Sequence, residues 1–189
     1  DNTLFIMTRP ASICVFCGSS MGDNPAFRRL AHELGTMIAE ADRRLIYGGG
    51  HVGLMGVVAD AVLAGGGAVT GIIPGHLRRA EVEHTGVTDL IEVDDMFERK
   101  RLMVERSDAF VALPGGLGTI DEILDVITLA QLGQHSKPMV MLDAEGYWQP
   151  FRTLLEHTIA CGYARAGIRD LYEIVTNLDG VLRALGLKS

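Results

Sequence analysis

Leu113-Pro114-Gly115-Gly116-Leu117-Gly118-Thr119-Ile120-Asp121-Glu122 joins an apolar run, Ala109 to Leu113, to a segment in which Ile120, Ile123, Leu124 and Ile127 recur at spacings of 3 and 4. The run predicts a buried strand and the spacing a helix face, so the glycines stand at a strand-to-helix turn. Glycines there can bring bare backbone N–H groups up to a ligand, and a helix start adds unpaired donors and a partial positive charge. That combination is a cradle for phosphate. Thr119 and Glu122 also match a capping box, which would stabilise the helix and do no chemistry. Spacing alone supports both readings.

At 189 residues, 48% hydrophobic and 22% charged, the chain suits one soluble domain with a sizeable core. No apolar run approaches the roughly 18 to 20 residues of a membrane span. Asp1 to Pro10 reads as a flexible lead-in without a signal peptide's pattern. A cytoplasmic protein with no membrane partner is expected. A net charge of −7 argues against nucleic acid, although a small phosphorylated ligand needs only a local basic patch. Cys14 and Cys17 match C-x-x-C, but residues three apart on a strand point to opposite faces, so the pair reads as structural. His32, His51, His76, His84, His135 and His157 are scattered without metal-ligand spacing. They read as surface or packing histidines, with His51 and His76 on ligand-edge loops. No metal is expected.

Outward from the central turn, strand and helix patterns alternate. Strands are expected at Ser12–Cys17, Leu45–Tyr47, Val69–Ile73, Asp89–Val93, Ala109–Leu113, Met139–Leu142 and Tyr172–Val175. Between them helices are expected from Pro25 to Ala41, capped by Asp23 or Asn24, and through Met55 to Ala64. Others run from Met96 to Arg106, opened by Asp94 or Asp95, and from Ile120 to Leu132, Tyr147 to Cys161 and Leu178 to Leu185. The first strand, with Ile13, Val15 and Phe16 apolar, lacks polar alternation, as expected where both sheet faces are covered. The fold class is therefore α/β: residues 11–189 form a single Rossmann-like open parallel sheet with helices on both faces. Ligands bind such a sheet beyond the carboxyl ends of its strands. That edge collects Gly18 to Ser20, Gly48 to Gly53, the loop from Pro74, and Pro114 to Thr119.

Gly48-x-Gly50-x-x-Gly53 satisfies the dinucleotide fingerprint in letters, but the next strand, Ala68 to Pro74, carries no acid for a ribose. NAD is disfavoured, and the alternative for these glycines is close helix-to-strand packing. There is no G-x-x-x-x-G-K-[ST]. In the helix from Met96, an apolar arc of Met96, Phe97, Met103 and Val104 has Lys100 at its middle and Arg99 at its edge. Such cations either snorkel past the core or pair with acids, or they aim into a cleft holding an anion. A carboxylate within 4 Å of a bound phosphate would cost about 4 kcal/mol near a surface, which nearby cations would offset. A carboxylate such as Glu122 facing a nucleotide's C1′ could then orient a water and stabilise an oxocarbenium-like transition state, with an arginine balancing charge. These parts point to N-glycosidic hydrolysis. Ser19 and Ser20 lack a sequence-linked base and read as ligand donors.

From about Ile13 to Leu185 the chain resembles the LOG family, cytokinin riboside 5′-monophosphate phosphoribohydrolases once labelled lysine-decarboxylase-like. The resemblance rests on Cys17-Gly18-Ser19-Ser20, Tyr47-Gly48-Gly49-Gly50 with Gly53-Leu54-Met55-Gly56, Met96-x-x-Arg99-Lys100, and Pro114-Gly115-Gly116-x-Gly118-Thr119-x-x-Glu122. It implies hydrolysis of N6-modified adenosine 5′-monophosphates to a free base and ribose 5-phosphate, without a cofactor, in a homodimer with its site near the subunit interface. Arg99 and Glu122 match the family's catalytic pair. Lys100 and the run Gly115, Gly116, Leu117, Gly118, Thr119, Ile120 and Asp121 match its nucleotide contacts, and Glu81 its substrate-binding acid. Ser19, Ser20, Gly49 and Gly50 complete the expected substrate-binding set. Phe97 stands where the family commonly has His, and Asp121 where Glu is frequent. The decarboxylase label fails on chemistry, since a pyridoxal enzyme needs a Schiff-base lysine. Of Lys100, Lys137 and Lys188 only Lys100 is expected near the cleft. A non-catalytic carrier of a phosphorylated nucleotide or pterin cofactor is the alternative that this fold and cradle would also serve.

Overall fold

Short apolar runs bounded by glycine, proline and acidic residues extend into seven strands in the computed structural model, which describes residues 10–187. The strands are β1 Ser12–Phe16, β2 Arg44–Tyr47, β3 Val69–Pro74, β4 Asp89–Val93, β5 Ala109–Ala112, β6 Met139–Leu142 and β7 Glu173–Val175. They form one sheet in the order β4-β3-β2-β1-β5-β6-β7, every neighbouring pair parallel. Helices α1 Pro25–Glu40, α2 Gly53–Ala64, α3 Met96–Glu105, α4 Leu117–Gln131, α5 Gln149–Ala160 and α6 Leu178–Ala184 connect and cover it. The expected lead-in falls almost wholly outside the described residues.

Two apolar layers sandwich the sheet. Ile13, Val15 and Cys17 face α1, α2 and α6, whereas Cys14 and Phe16 face Met103, Ile123, Ile127 and Trp148 on the other side. The C-x-x-C cysteines thus point to opposite faces, and both are free thiols. No helix among the described residues is long and apolar enough to cross a membrane.

The caps settle three boundaries. Asn24, not Asp23, accepts the N–H of Ala26, and Asp95, not Asp94, accepts that of Glu98. Helix α5 starts at Gln149 rather than Tyr147 because the Asp143 carboxylate takes the Trp148 N–H at 2.9 Å and holds the preceding residues in a turn. The largest correction is at α4. This helix starts at Leu117, not Ile120, and its N-cap is Gly116, with no side-chain cap bond. Thr119 is therefore inside the helix and Glu122 is released from any capping box.

The strand order reverses between β1 and β5, since the chain proceeds from β1 to β2 on one side and from β5 to β6 on the other. A crevice opens at such a point because the two following loops diverge. Here the Gly18 N–H still donates to the Pro114 carbonyl at 3.0 Å, tying the loops together at the crevice floor.

Candidate active site

At that switch point lies a cavity of about 180 Å³, to which six segments contribute, Met55 of α2 among them. Cys17 and Ser19 come from the end of β1, Gly48 from the end of β2, and Glu81 from the β3–β4 loop. Met96, Arg99 and Met103 come from α3, and Gly116, Leu117, Gly118, Thr119 and Glu122 from the start of α4. Arg99 and Glu122 therefore share one cavity.

Arg99 is only 3% exposed, so its charge must be met on all sides. Its Nε donates to the Ile72 carbonyl at 3.1 Å and its Nη2 to the Gly48 carbonyl at 2.5 Å. The fork grips Glu81, Nη2 to Oε2 at 2.8 Å and Nη1 to Oε1 at 3.3 Å. A Cβ on residue 48 would stand 2.0 Å from Nη2, so the arginine reaches its place only because residue 48 is glycine.

Glu122 has no such fork. Burial raises its carboxyl from the ordinary 4.5 to about 7, Arg99 pulls it down, Glu81 and Asp121 push it further up, and Lys100 lowers it. The residue retains intermediate accessibility because the cavity itself reaches it, which tempers the effect of burial. A carboxyl poised near neutrality in a cleft suits proton transfer.

The start of α4 leaves backbone donors unpaired. With Gly116 as an unadorned cap, the first intrahelical bond runs from the Ile120 N–H to the Gly116 carbonyl, which leaves the amides of Leu117, Gly118 and Thr119 without helical acceptors. A Cβ on Gly116 or Gly118 would meet nothing within 4 Å, so neither glycine is demanded by packing. Gly115 differs, since a Cβ there would strike Thr119 Oγ1 at 2.1 Å, and its carbonyl accepts the Tyr147 hydroxyl at 2.6 Å.

The remaining expected residues separate. Ser20 and Gly115 line a neighbouring hollow with Phe27 and Tyr147. Gly49, at φ +78°, packs on Ile73 and Leu90, and Gly50 packs on Met55 and Glu81, so neither presents itself to the cavity. Ile120 and Asp121 also lie off its lining. Lys100 corrects the reading of α3: the arc centred on it is two stripes. Met96, Arg99 and Met103 face inward, whereas Phe97, Lys100 and Val104 line an outer groove against α4. The Lys100 ammonium sits between Asp121 at 2.8 Å and Asp125 at 2.7 Å, offsetting the acids near the cradle. Phe97, 80% exposed, lies 5.8 Å from that ammonium. Lys137 donates to the Val104 carbonyl, and Lys188 lies outside the described residues, so no described lysine faces the cavity as a Schiff-base former would. Spacing could not find the cavity's Cys17, Met55 and Met103, which read only as core.

Three comparisons bear on this site. A family model described as possible lysine decarboxylase matches residues 55–185. The cytokinin riboside 5′-monophosphate phosphoribohydrolase of Rhodococcoides fascians is 41% identical over 177 residues, 93% of this chain and 89% of that protein. The cytokinin riboside 5′-monophosphate phosphoribohydrolase LOG7 of Arabidopsis thaliana is 42% identical over 173 residues, 92% of this chain and 80% of that one. Among solved structures, the Moco carrier protein from Chlamydomonas reinhardtii superposes with a TM-score of 0.67 at 23% identity, over 93% of this chain and 96% of that one. At that identity the likeness is one of fold alone. Identities of 41% and 42% over more than nine-tenths of its length place this chain in the LOG family of cytokinin riboside 5′-monophosphate phosphoribohydrolases.

Proposed function

We propose that the chain hydrolyses the N-glycosidic bond of adenosine 5′-monophosphate or its N6-prenylated form, releasing the base and ribose 5-phosphate. The observation that carries this is the meeting of Arg99 and Glu122 in one cavity beside the uncapped start of α4. The 5′-phosphate rests on the amides of Leu117 to Thr119, where the helix end favours an anion. That places the ribose between the two side chains. Ionised Glu122 orients a water at C1′ and stabilises the positive charge that develops there. The water oxygen bonds to C1′, and the C1′–N9 bond breaks with its electron pair leaving on the base. The displaced water proton passes by way of the carboxylate to that base. Arg99, held on three sides, gives a rigid charge against the sugar and the departing ring.

A cavity of about 180 Å³ holds the sugar but not the whole nucleotide, since small-molecule pockets run to roughly 300–1,000 Å³. The base extends past the mouth, where Leu117 is 84% exposed. Leu117 and Leu124 on α4, Leu132 at its C-cap and Phe97 on α3 are exposed apolar side chains, and a second copy of this chain covers them in a homodimer.

Incubation with both nucleotides, followed by chromatography of the free base, tests the reading. Wild type releases base, and Glu122→Ala and Arg99→Ala lose at least about 100-fold in kcat/KM, which is close to 3 kcal/mol of transition-state stabilisation. Tight nucleotide or pterin binding without turnover would contradict it.

A further inference from the structure

The loop between β3 and β4 reaches back over the cavity and presents Glu81 to Arg99, so whatever holds this loop sets the pair. It is not relaxed. Val82, next to Glu81, sits at φ +48°, a region that β-branched residues rarely adopt and that persists only where surroundings impose it. The main chain supplies part of the restraint: the His51 N–H donates to the carbonyls of Glu81 and Val82 at 3.0 and 2.7 Å, and the His84 N–H donates to that of Gly49 at 2.9 Å.

Side chains restrain it at two places: Arg78 pairs with Glu83 within the loop and with Glu92 on β4, and one carboxylate ties the loop to α2. Asp60, on α2, receives His84 Nε2 on Oδ1 at 2.8 Å and His51 Nε2 on Oδ2 at 3.0 Å, with the two rings stacked at 4.0 Å. It thereby grips the segment after β2 and the segment before β4 at once. By residue type the three would also suit a metal ion. The hydrogen bonding argues otherwise. The Gly86 N–H donates to His84 Nδ1 at 3.2 Å, which leaves the ring proton on Nε2, aimed at Asp60. His84 is buried at 4% exposure, so this arrangement is fixed by packing. The hydrogen bonds from both histidines outweigh burial, which raises the Asp60 carboxyl, and hold it below the usual carboxylate range.

We infer that Asp60 and His84 are positioning residues for the Arg99–Glu81 pair, acting as a strut that keeps Glu81 in the arginine fork. Its importance for turnover rests on the proposed function. Its existence does not. Without the strut Glu81 drifts away, and Arg99 faces Glu122 unneutralised. The charges that act on Glu122 are Arg99 and, from the outer stripe of α3, Lys100, with Glu81 from the loop and Asp121 from its own helix. Cys14 on β1 and Cys17 just past it are held as neutral thiols by burial and by Glu122. Removing an anion while freeing a cation lowers the Glu122 carboxyl, by on the order of one unit.

Carbon-13 NMR titration of Glu122 in ligand-free protein reads this without turnover. Asp60→Ala and Glu81→Gln should each move its midpoint down from about 7 by on the order of one unit. Asp60→Asn, whose amide oxygen still accepts from His84, should titrate like wild type. In the same variants the acid limb of the pH–rate profile moves with the midpoint, and kcat/KM in Asp60→Ala falls roughly tenfold. An unmoved midpoint in Asp60→Ala, or one displaced equally in Asp60→Asn, overturns the inference. A wild type that releases no base overturns the proposed function and leaves the titration result to stand.

Discussion

The chain turns from strand to helix through glycine twice beside the cavity, at Gly48–Gly53 after β2 and at Pro114–Thr119 after β5, and the two turns use glycine for opposite purposes. In the first, the missing side chains are filled by protein. A Cβ on Gly53, which is at φ +59°, would lie 2.3 Å from the Ser19 backbone, and one on Gly48 would displace the Arg99 fork. In the second, Gly116 and Gly118 face open space while the helix they begin is left uncapped. Glycine at a strand–helix turn marks a ligand site only where nothing occupies the space its side chain would take.

The comparison breaks most easily at Gly53. Gly53→Ala combines a disfavoured backbone conformation with a clash against main chain that cannot swing aside, and should cost more than about 3 kcal/mol. Urea denaturation measures it. Wild-type stability would mean that the first turn is as open as the second.

A smaller effect marks the second turn, because the helix it opens carries an acid that burial disfavours. The folded-state carboxyl of Glu122 lies near 7 against 4.5 when unfolded, so the folded chain binds the extra proton between those values. Its contribution to stability therefore falls as pH rises from about 4.5 to about 7, and the full cost is present above. With cavity water moderating the burial, Glu122→Gln should gain about 2 kcal/mol at pH 8 and nothing near pH 4. Thermal melts across that range check the sign, and a gain that grows toward acid would be wrong.

The smallest expected change is the most discriminating. Gly118→Ala puts a better helix former in the first turn of α4 and should stabilise the fold by about 0.5–1 kcal/mol. The same methyl crowds the phosphate and should raise KM about tenfold. An alanine that left KM unchanged would remove the cradle from Leu117 to Thr119.

Much of this was readable from residues alone, and the exceptions have physical causes. The inner strands announced themselves because both faces of a parallel sheet are covered, which leaves unbroken apolar runs such as Ala109–Ala112, whereas the edge strands β4 and β7 carry acids and stay partly exposed. The start of α4 is not legible because Thr119 and Glu122 imitate a capping box, and only the backbone at Gly116 shows that the helix has begun earlier. Arg99 and Lys100, adjacent in sequence, diverge because neighbouring helical positions lie about 100° apart. One enters the cavity and the other meets Asp121 and Asp125 outside it. The strut of His51, Asp60 and His84 has no sequence signature, since His84 reaches Asp60 only when the β3–β4 loop folds back over α2.

The most direct test of the site is the dependence of kcat/KM on pH with adenosine 5′-monophosphate as substrate. If ionised Glu122 activates the water, the rate climbs as pH rises through about 7, and Glu122→Gln abolishes both the climb and the turnover. A wild-type rate that stays level from pH 5.5 to 8.5, or a Gln variant that keeps the same limb, would show that this carboxylate does not carry the reaction.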